Sequence, residues 1–221
     1  MPRLDIRGVI VPNDYEWYYD FLGEEHTSPR LVSDVISGAN GELIDVYINS
    51  LGGEIASGSE IYTMLNQYRN IMIHITGQAH SAASVVAMAG PSEMSPTALM
   101  MVHCVSTALS GNHSDFEHAV EMLNAADEAL SSAYTAKSGM SKAQALAMMN
   151  AETWLTAEKA VELGLVDKIT DVQAAAMTAS LGFELPTQEQ LETAKKIKES
   201  AEFSDKLRLK LEFLELKGAT R

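Results

Sequence analysis

Two consecutive stretches decide the reading: Ile44-Asp45-Val46-Tyr47-Ile48-Asn49-Ser50-Leu51-Gly52-Gly53 and Ile71-Met72-Ile73-His74-Ile75-Thr76-Gly77-Gln78-Ala79-His80-Ser81-Ala82-Ala83-Ser84. Each opens on a short β-rich run, Ile44 to Ile48 and Ile71 to Ile75. Each then passes through a glycine-containing loop, Asn49 to Gly53 and Gly77 to His80. Helical spacing follows, through Ile61, Met64, Leu65 and Tyr68 in the first unit and from Ser81 to Ala89 in the second. Two βα units with loops on one edge predict an α/β architecture built on a largely parallel sheet.

Working outward, Leu4 to Val11 reads as a strand stopped by Pro12-Asn13-Asp14. Ser28-Pro29 opens a helix in which Ser28 caps and Pro29 takes the first helical position, with Asn40-Gly41 ending it. Downstream, Ala98 to His103 reads as a third strand. Ser114-Asp115-Phe116-Glu117 has the pattern of a capping box, and the helix it predicts carries Phe116, Val120, Leu123, Leu130 and Tyr134 on to Ser138-Gly139. A second box, Ser141 to Gln144, starts a shorter helix to Met149; a third helix runs from Ala157 to a C-terminal glycine at Gly164, and Leu165 to Ile169 closes the domain as a strand.

The partition is therefore residues 1–170 as one domain and 171–221 as an alanine-rich linker and a charged tail with Leu191, Ala194, Ile197, Ala201, Leu207, Leu211 and Leu214 on one helical face. The tail reads either as a solvated helix packing on its neighbours or as a contact element for a partner. Of the formal charge of −14, the tail, with nine acidic and eight basic residues, carries −1, so −13 falls on residues 1–170. A surface that negative repels phosphate backbones and argues against nucleic-acid binding. With 46% hydrophobic and 21% charged residues the chain has the makings of a globular core. One cysteine, Cys104, precludes an internal disulfide; no Cys/His cluster has zinc-ligand spacing, and no cofactor is expected. The longest apolar run, near Ala82 to Gly90, is far short of the ~20 residues that span a bilayer, and the first residues lack a secretory pattern, so a cytoplasmic protein without membrane attachment is expected.

In α/β sheets the functional loops lie at the carboxyl ends of the strands. Three such loops hold chemistry-bearing residues: Gly52-Gly53, Ser81 and His103. A serine at a helix start sits where free amides favour developing negative charge, though by itself it is more often a cap. Ser84, one turn on, is assigned to packing. Glycines without Cβ let backbone amides approach a substrate closely, and a strand-end histidine can act as base. A carboxylate is needed to hold its tautomer, and thirty acidic residues leave that choice open.

These residues resemble the Clp protease proteolytic subunit family, over roughly Leu4 to Ile169. The resemblance rests on Tyr47 to Gly53, on Gly77 to Ser84, on Met100-Met101-Val102-His103, and on Glu152 to Ala157 leading into Gly164-Leu165-Val166-Asp167. The opening from Arg3 to Asp14, Ser81 to Gly90 and Glu152 to Ala157 look closest to the head maturation proteases of tailed phages and prophages. The resemblance implies a crotonase-like fold of repeated strand-strand-helix units with a protruding handle helix, and a serine peptidase. Carried over, Ser81 is the nucleophile, His103 the general base and Glu152 the third member, where the housekeeping enzymes have aspartate; Asn150 is the fallback and Asp167 serves the structure. The oxyanion hole falls on the amides of Gly53 and Ala82, and substrate contacts on Gly52, Cys104, Val105 and Ser106, Cys104 being an inert small apolar residue.

The sequence departs from the housekeeping pattern at Leu51, in place of proline, and at His80, in place of a small residue; His80 reads as a surface or subunit-contact histidine. The resemblance further implies protein substrates, among them capsid and scaffold proteins, in the host cytoplasm or inside assembling proheads, and self-association into rings, as stacked heptamers. Docking to an ATP-driven unfoldase is disfavoured by the short N-terminal segment. The alternatives are a degradative subunit fed by such an unfoldase, or a non-catalytic ring-forming scaffold.

Overall fold

A computed structural model describes residues 2–171, which lie within one compact unit, Met1–Gln173. In chain order the elements are β1 (Arg3–Ile10), α1 (Glu16–Leu22), β2 (His26–Thr27), α2 (Pro29–Gly38), β3 (Ile44–Gly53), α3 (Ile55–Tyr68), β4 (Ile71–His80), α4 (Ala82–Val86), β5 (Ser92–Met94), β6 (Leu99–Val102), α5 (His113–Ser138), α6 (Lys142–Asn150), β7 (Thr153–Thr156), α7 (Ala157–Glu162) and β8 (Lys168–Ile169). The tail predicted for 171–221 lies, from residue 172 on, outside the described residues.

One eight-stranded sheet runs β2-β1-β3-β4-β5-β8, with β6 on β4 and β7 on β6. Every pairing is parallel except β6 with β7. This is the mixed α/β fold with a mostly parallel sheet that the βα repeat predicts. Its strands alternate: Ile6, Ile44, Val46, Ile48 and Ile73 are wholly buried, in one core with Ile61 and Leu65 of α3, while the intervening Asp5, Arg7, Asn49 and Leu51 are exposed.

The position of the site follows from a fork in β4. Ile73–Ile75 pair with Ser92–Met94 of β5, and then Gln78–His80 pair with Leu99–Met101 of β6. Parallel pairing puts the carboxyl ends of β3, β4 and β6 on the same edge, so Gly53, Ser81 and His103 emerge together there. The entirely buried α4 tucks beneath that edge. It fits because it is made of small residues: a Cβ on Gly58 of α3 would stand 2.9 Å from the Ala82 Cβ.

Several boundaries differ from the sequence reading. The residues read as loops, Asn49 to Gly53 and Gly77 to His80, continue β3 and β4, because partners on β1 and β6 extend the ladders. The helix read as Ser81 to Ala89 is α4 followed by a 3-10 turn, Ala87–Ala89. Helix α5 is capped by Asn112 and Asp115 rather than Ser114 and Glu117; the Asn112 side chain accepts from Ser114 N–H at 2.9 Å while Asp115 accepts from Asn112 N–H at 2.8 Å. The last strand shortens to Lys168–Ile169. Ser28, Ser141, Gly139 and Gly164 behave as read: both serines cap, and both glycines take positive φ. Phe116 and Val120 are about half exposed, and the buried residues of α5 are Ser131, Ala133 and Tyr134 near its C-terminus, so its N-terminal half presents an apolar face to solvent.

Candidate active site

Ser81 stands between β4 and α4 with φ 53° and ψ −125°. A non-glycine residue held there costs about 1–3 kcal/mol and persists only where its surroundings impose it. Here they do. Its N–H donates to Met101 O at 2.9 Å, and its carbonyl accepts the Ser84 hydroxyl at 2.6 Å. Ser84 is wholly buried, and its Oγ lies 2.8 Å from the hydroxyl of Tyr134, itself buried on α5. The packing role read for Ser84 thus amounts to a brace behind the serine turn, and burial lifts the Tyr134 phenol above its ordinary range, keeping it a neutral donor.

The strained turn presents Ser81 Oγ to His103, whose Nε2 lies 2.8 Å away. His103 follows the last residue of β6, so its placement rests on the β4–β6 pairing. Gly52 (φ 91°) packs against the same turn, since a Cβ there would meet His80 O at 2.6 Å and Ser81 Cβ at 2.8 Å. Gly53 (φ 151°) lies against β1, where a Cβ would meet Ile10 O at 2.2 Å. Only glycine allows β3 to run this close to both neighbours. Glu54, next in line, caps α3 by accepting from Ala56 N–H at 2.8 Å and Ser57 N–H at 2.6 Å.

Gly53, Ser81, Ala82, His103, Cys104, Val105 and Ser106 share a cavity of about 70 Å³. Its apolar lining comes from Ile55, Val85, Leu130 and Tyr134, which the sequence reading did not assign to the site. Of these, Leu130 and Tyr134 were legible as one face of a helix, but not as facing the serine. Cys104 is half-buried; burial, with the Asp127 carboxylate beside it, pushes its thiol up to about 11, as suits an unreactive wall residue.

Glu152 immediately precedes β7, whose Thr153 pairs with Val102, so it lies next to the end of the strand that delivers His103. It is exposed, at φ 46°, and its Oε1 accepts the Trp154 indole N–H at 3.4 Å. Among the described residues, the hydrogen bonds of His103 do not include Glu152. Asn150 turns back to Leu146 O at 2.8 Å. Asp167 is engaged in the structure: it accepts Ser92 N–H at 2.7 Å and the Lys137 ammonium at 2.6 Å.

His80 differs from its reading as a surface or subunit-contact histidine. Within the chain it is buried at 4% exposure, edge-on to Trp154 with ring centroids 5.0 Å apart. The cause is the length of β4: because the strand runs through His80, the side chain falls in a row with Met101 and Trp154 across β6 and β7. Burial lowers its pKa, and among the described residues its Nε2 has no hydrogen-bond partner.

The mostly parallel α/β fold thus brings a serine in a strained turn within hydrogen-bond reach of the histidine that follows the neighbouring strand, a pairing that serine hydrolases also use. The Clp protease family model matches residues 34–173, well over half of the chain. The chain belongs to the Clp protease family, a family of serine peptidases whose members act on protein substrates and typically assemble as rings. Among the described residues no helix is long and apolar enough to cross a membrane.

Proposed function

We propose that this chain is a serine endopeptidase working through an acyl-enzyme, with Ser81 as nucleophile, His103 as general base and then acid, and Glu152 as the residue that orients the imidazole. The observation that carries the reading is the 2.8 Å approach of His103 Nε2 to Ser81 Oγ across a strained turn. In this reading Ser81 Oγ attacks the scissile carbonyl as its proton passes to Nε2. The amides of Gly53 and Ala82 stabilise the oxyanion. The C–N bond breaks as Nε2 returns the proton to the leaving amine, and water, deprotonated by the same nitrogen, cleaves the ester. Gly52 and the segment Cys104-Val105-Ser106 would seat the substrate backbone. Glu152 reaches the imidazole by exchanging its bond to Trp154 for one to His103 Nδ1. Residues 1–170 form the peptidase domain in this reading, with 171–221 appended.

We further propose head maturation as the setting, with capsid and scaffold proteins as substrates and a homo-oligomeric ring as the working form. The subfamily resemblance supports the setting, and the exposed apolar face at Phe116 and Val120 supports assembly. A fluorophosphonate probe followed by peptide mass spectrometry tests the chemistry. Label on Ser81, absent in Ser81→Ala, is expected; a wild-type protein that takes no label, in its assembled form and with capsid protein present, overturns the peptidase reading and favours a scaffold.

A further inference from the structure

Asp127 lies midway along α5, three and seven residues before Leu130 and Tyr134, so it shares the helical face that lines the cavity. Its Oδ1 accepts Val105 N–H at 2.7 Å, and the same carboxylate stands beside the Cys104 thiol, which burial first and Asp127 second push up to about 11. Val105 needs that acceptor. Residues 103–112 form no regular secondary structure, so the partly buried amide has no ladder partner, and an unmade bond there is costly. Among the described residues no cation pairs with Asp127, and Val105 N–H is the hydrogen-bond donor that engages its carboxylate. His103 is thereby bracketed, by the Val102–Thr153 rung on one side and by the Val105–Asp127 bond two residues beyond on the other.

We propose that Asp127 is a positioning residue: by holding Val105, and with it the neighbouring Cys104, against α5, it sets where His103 stands relative to Ser81 and keeps the cavity wall in place. The kinetic half of this proposal rests on the peptidase reading, whereas its structural half does not. Releasing Val105 frees the backbone that carries the base, and a misplacement of ~1 Å at a reacting group costs roughly 100-fold in rate.

Cys104 supplies an independent reporter, since it is the chain's one cysteine and alkylation at it is unambiguous. Burial holds the thiol protonated, the Asp127 carboxylate beside it adds to that, and the thiolate is the species that alkylates.

The test uses the full chain and two variants, Asp127→Ala and Asp127→Asn, with circular dichroism to check folding. Two rates are measured: fluorophosphonate labelling of Ser81 and iodoacetamide alkylation of Cys104. Asparagine keeps an oxygen for Val105 N–H but loses the charge. Asp127→Ala is expected to slow Ser81 labelling by about 10- to 100-fold, and Asp127→Asn to restore it to within about threefold of wild type, because the acceptor remains. Both variants are expected to alkylate faster than wild type. Wild-type Ser81 labelling in folded Asp127→Ala, or equal losses in the two variants, overturns the positioning role. Unchanged alkylation overturns the clamp, and it does so even if the wild-type serine takes no label, the result that refutes the peptidase reading instead. Should the alanine variant not fold, the asparagine variant decides: faster alkylation with retained Ser81 labelling supports the clamp, and unchanged alkylation removes it.

Discussion

Gly52→Ala tests whether the close approach of β3 to the serine turn is what shapes the site. The new Cβ would stand 2.6 Å from His80 O, 2.8 Å from Ser81 Cβ and 2.9 Å from Ala82 N. None of these is the free end of a flexible side chain, so the turn must move. Reaching an ordinary contact of about 3.4 Å from 2.8 Å requires Ser81 Cβ to retreat by about 0.6 Å. With ~1 Å of misplacement costing roughly 100-fold, the expected loss in Ser81 labelling by a fluorophosphonate is about 10- to 100-fold. Stability should fall as well. The left-handed φ of 91° costs alanine about 1–2 kcal/mol and overpacking about 1–3 kcal/mol. At about 2–4 °C per kcal/mol for a chain of this size, the melting temperature should drop by roughly 4–20 °C. Gly38→Ala is the control: it lies in α2 with nothing within 4 Å of the new Cβ, and should be neutral or up to about 1 kcal/mol stabilising. If Gly52→Ala labels Ser81 within about threefold of wild type, the glycine does not position Ser81.

Ser84→Ala removes the brace and strands the buried Tyr134 hydroxyl, so a loss of about 1–3 kcal/mol is expected in thermal melts. Adding Tyr134→Phe should recover part of it; a double variant no more stable than Ser84→Ala refutes the account. Glu152→Gln should lower kcat by roughly 10²- to 10⁴-fold if the carboxylate orients and stabilises the imidazolium, with KM little changed. A change below about threefold assigns that role elsewhere. At Asp167 burial opposes ionisation, but the Lys137 ammonium and the Ser92 N–H outweigh it and hold the carboxyl below the usual carboxylate range. With the folded value below the unfolded one, its stabilisation is present above about pH 4 and disappears as pH falls through the folded value. The melting temperature of Asp167→Asn should therefore lie below wild type at neutral pH and converge with it in acid. A gap that does not change with pH refutes the ion-pair account.

What the sequence determined by itself was local. The β-rich runs that open β3 and β4 and the helical spacing after them specify strand and helix because each reports on its own few residues. Ser28 and Ser141 start helices, and Gly139 and Gly164 stop them, through bonds made within one turn. The glycine pair, Ser81 and His103 were legible for the same reason, since each sits where a periodic pattern stops. Residues 15–27 were not: Trp17, Tyr18, Phe21 and Leu22 of α1 are exposed, so no buried face announces that helix.

Tertiary structure decided everything that depends on which strands meet. Pairing with β1 and β6 carried β3 and β4 through residues that locally read as loop. That extension buried His80 under Trp154 and delivered Ser81 to Met101 O in a conformation its own propensity disfavours. Likewise, the apolar cavity wall and the reach of Asp127 to Val105 join residues 22 or more positions apart through the return of α5 over the sheet edge. A one-dimensional pattern records the preference of a residue for its neighbours in sequence. The distance between His103 and Ser81 is set by a sheet register between strands that have no local reason to meet.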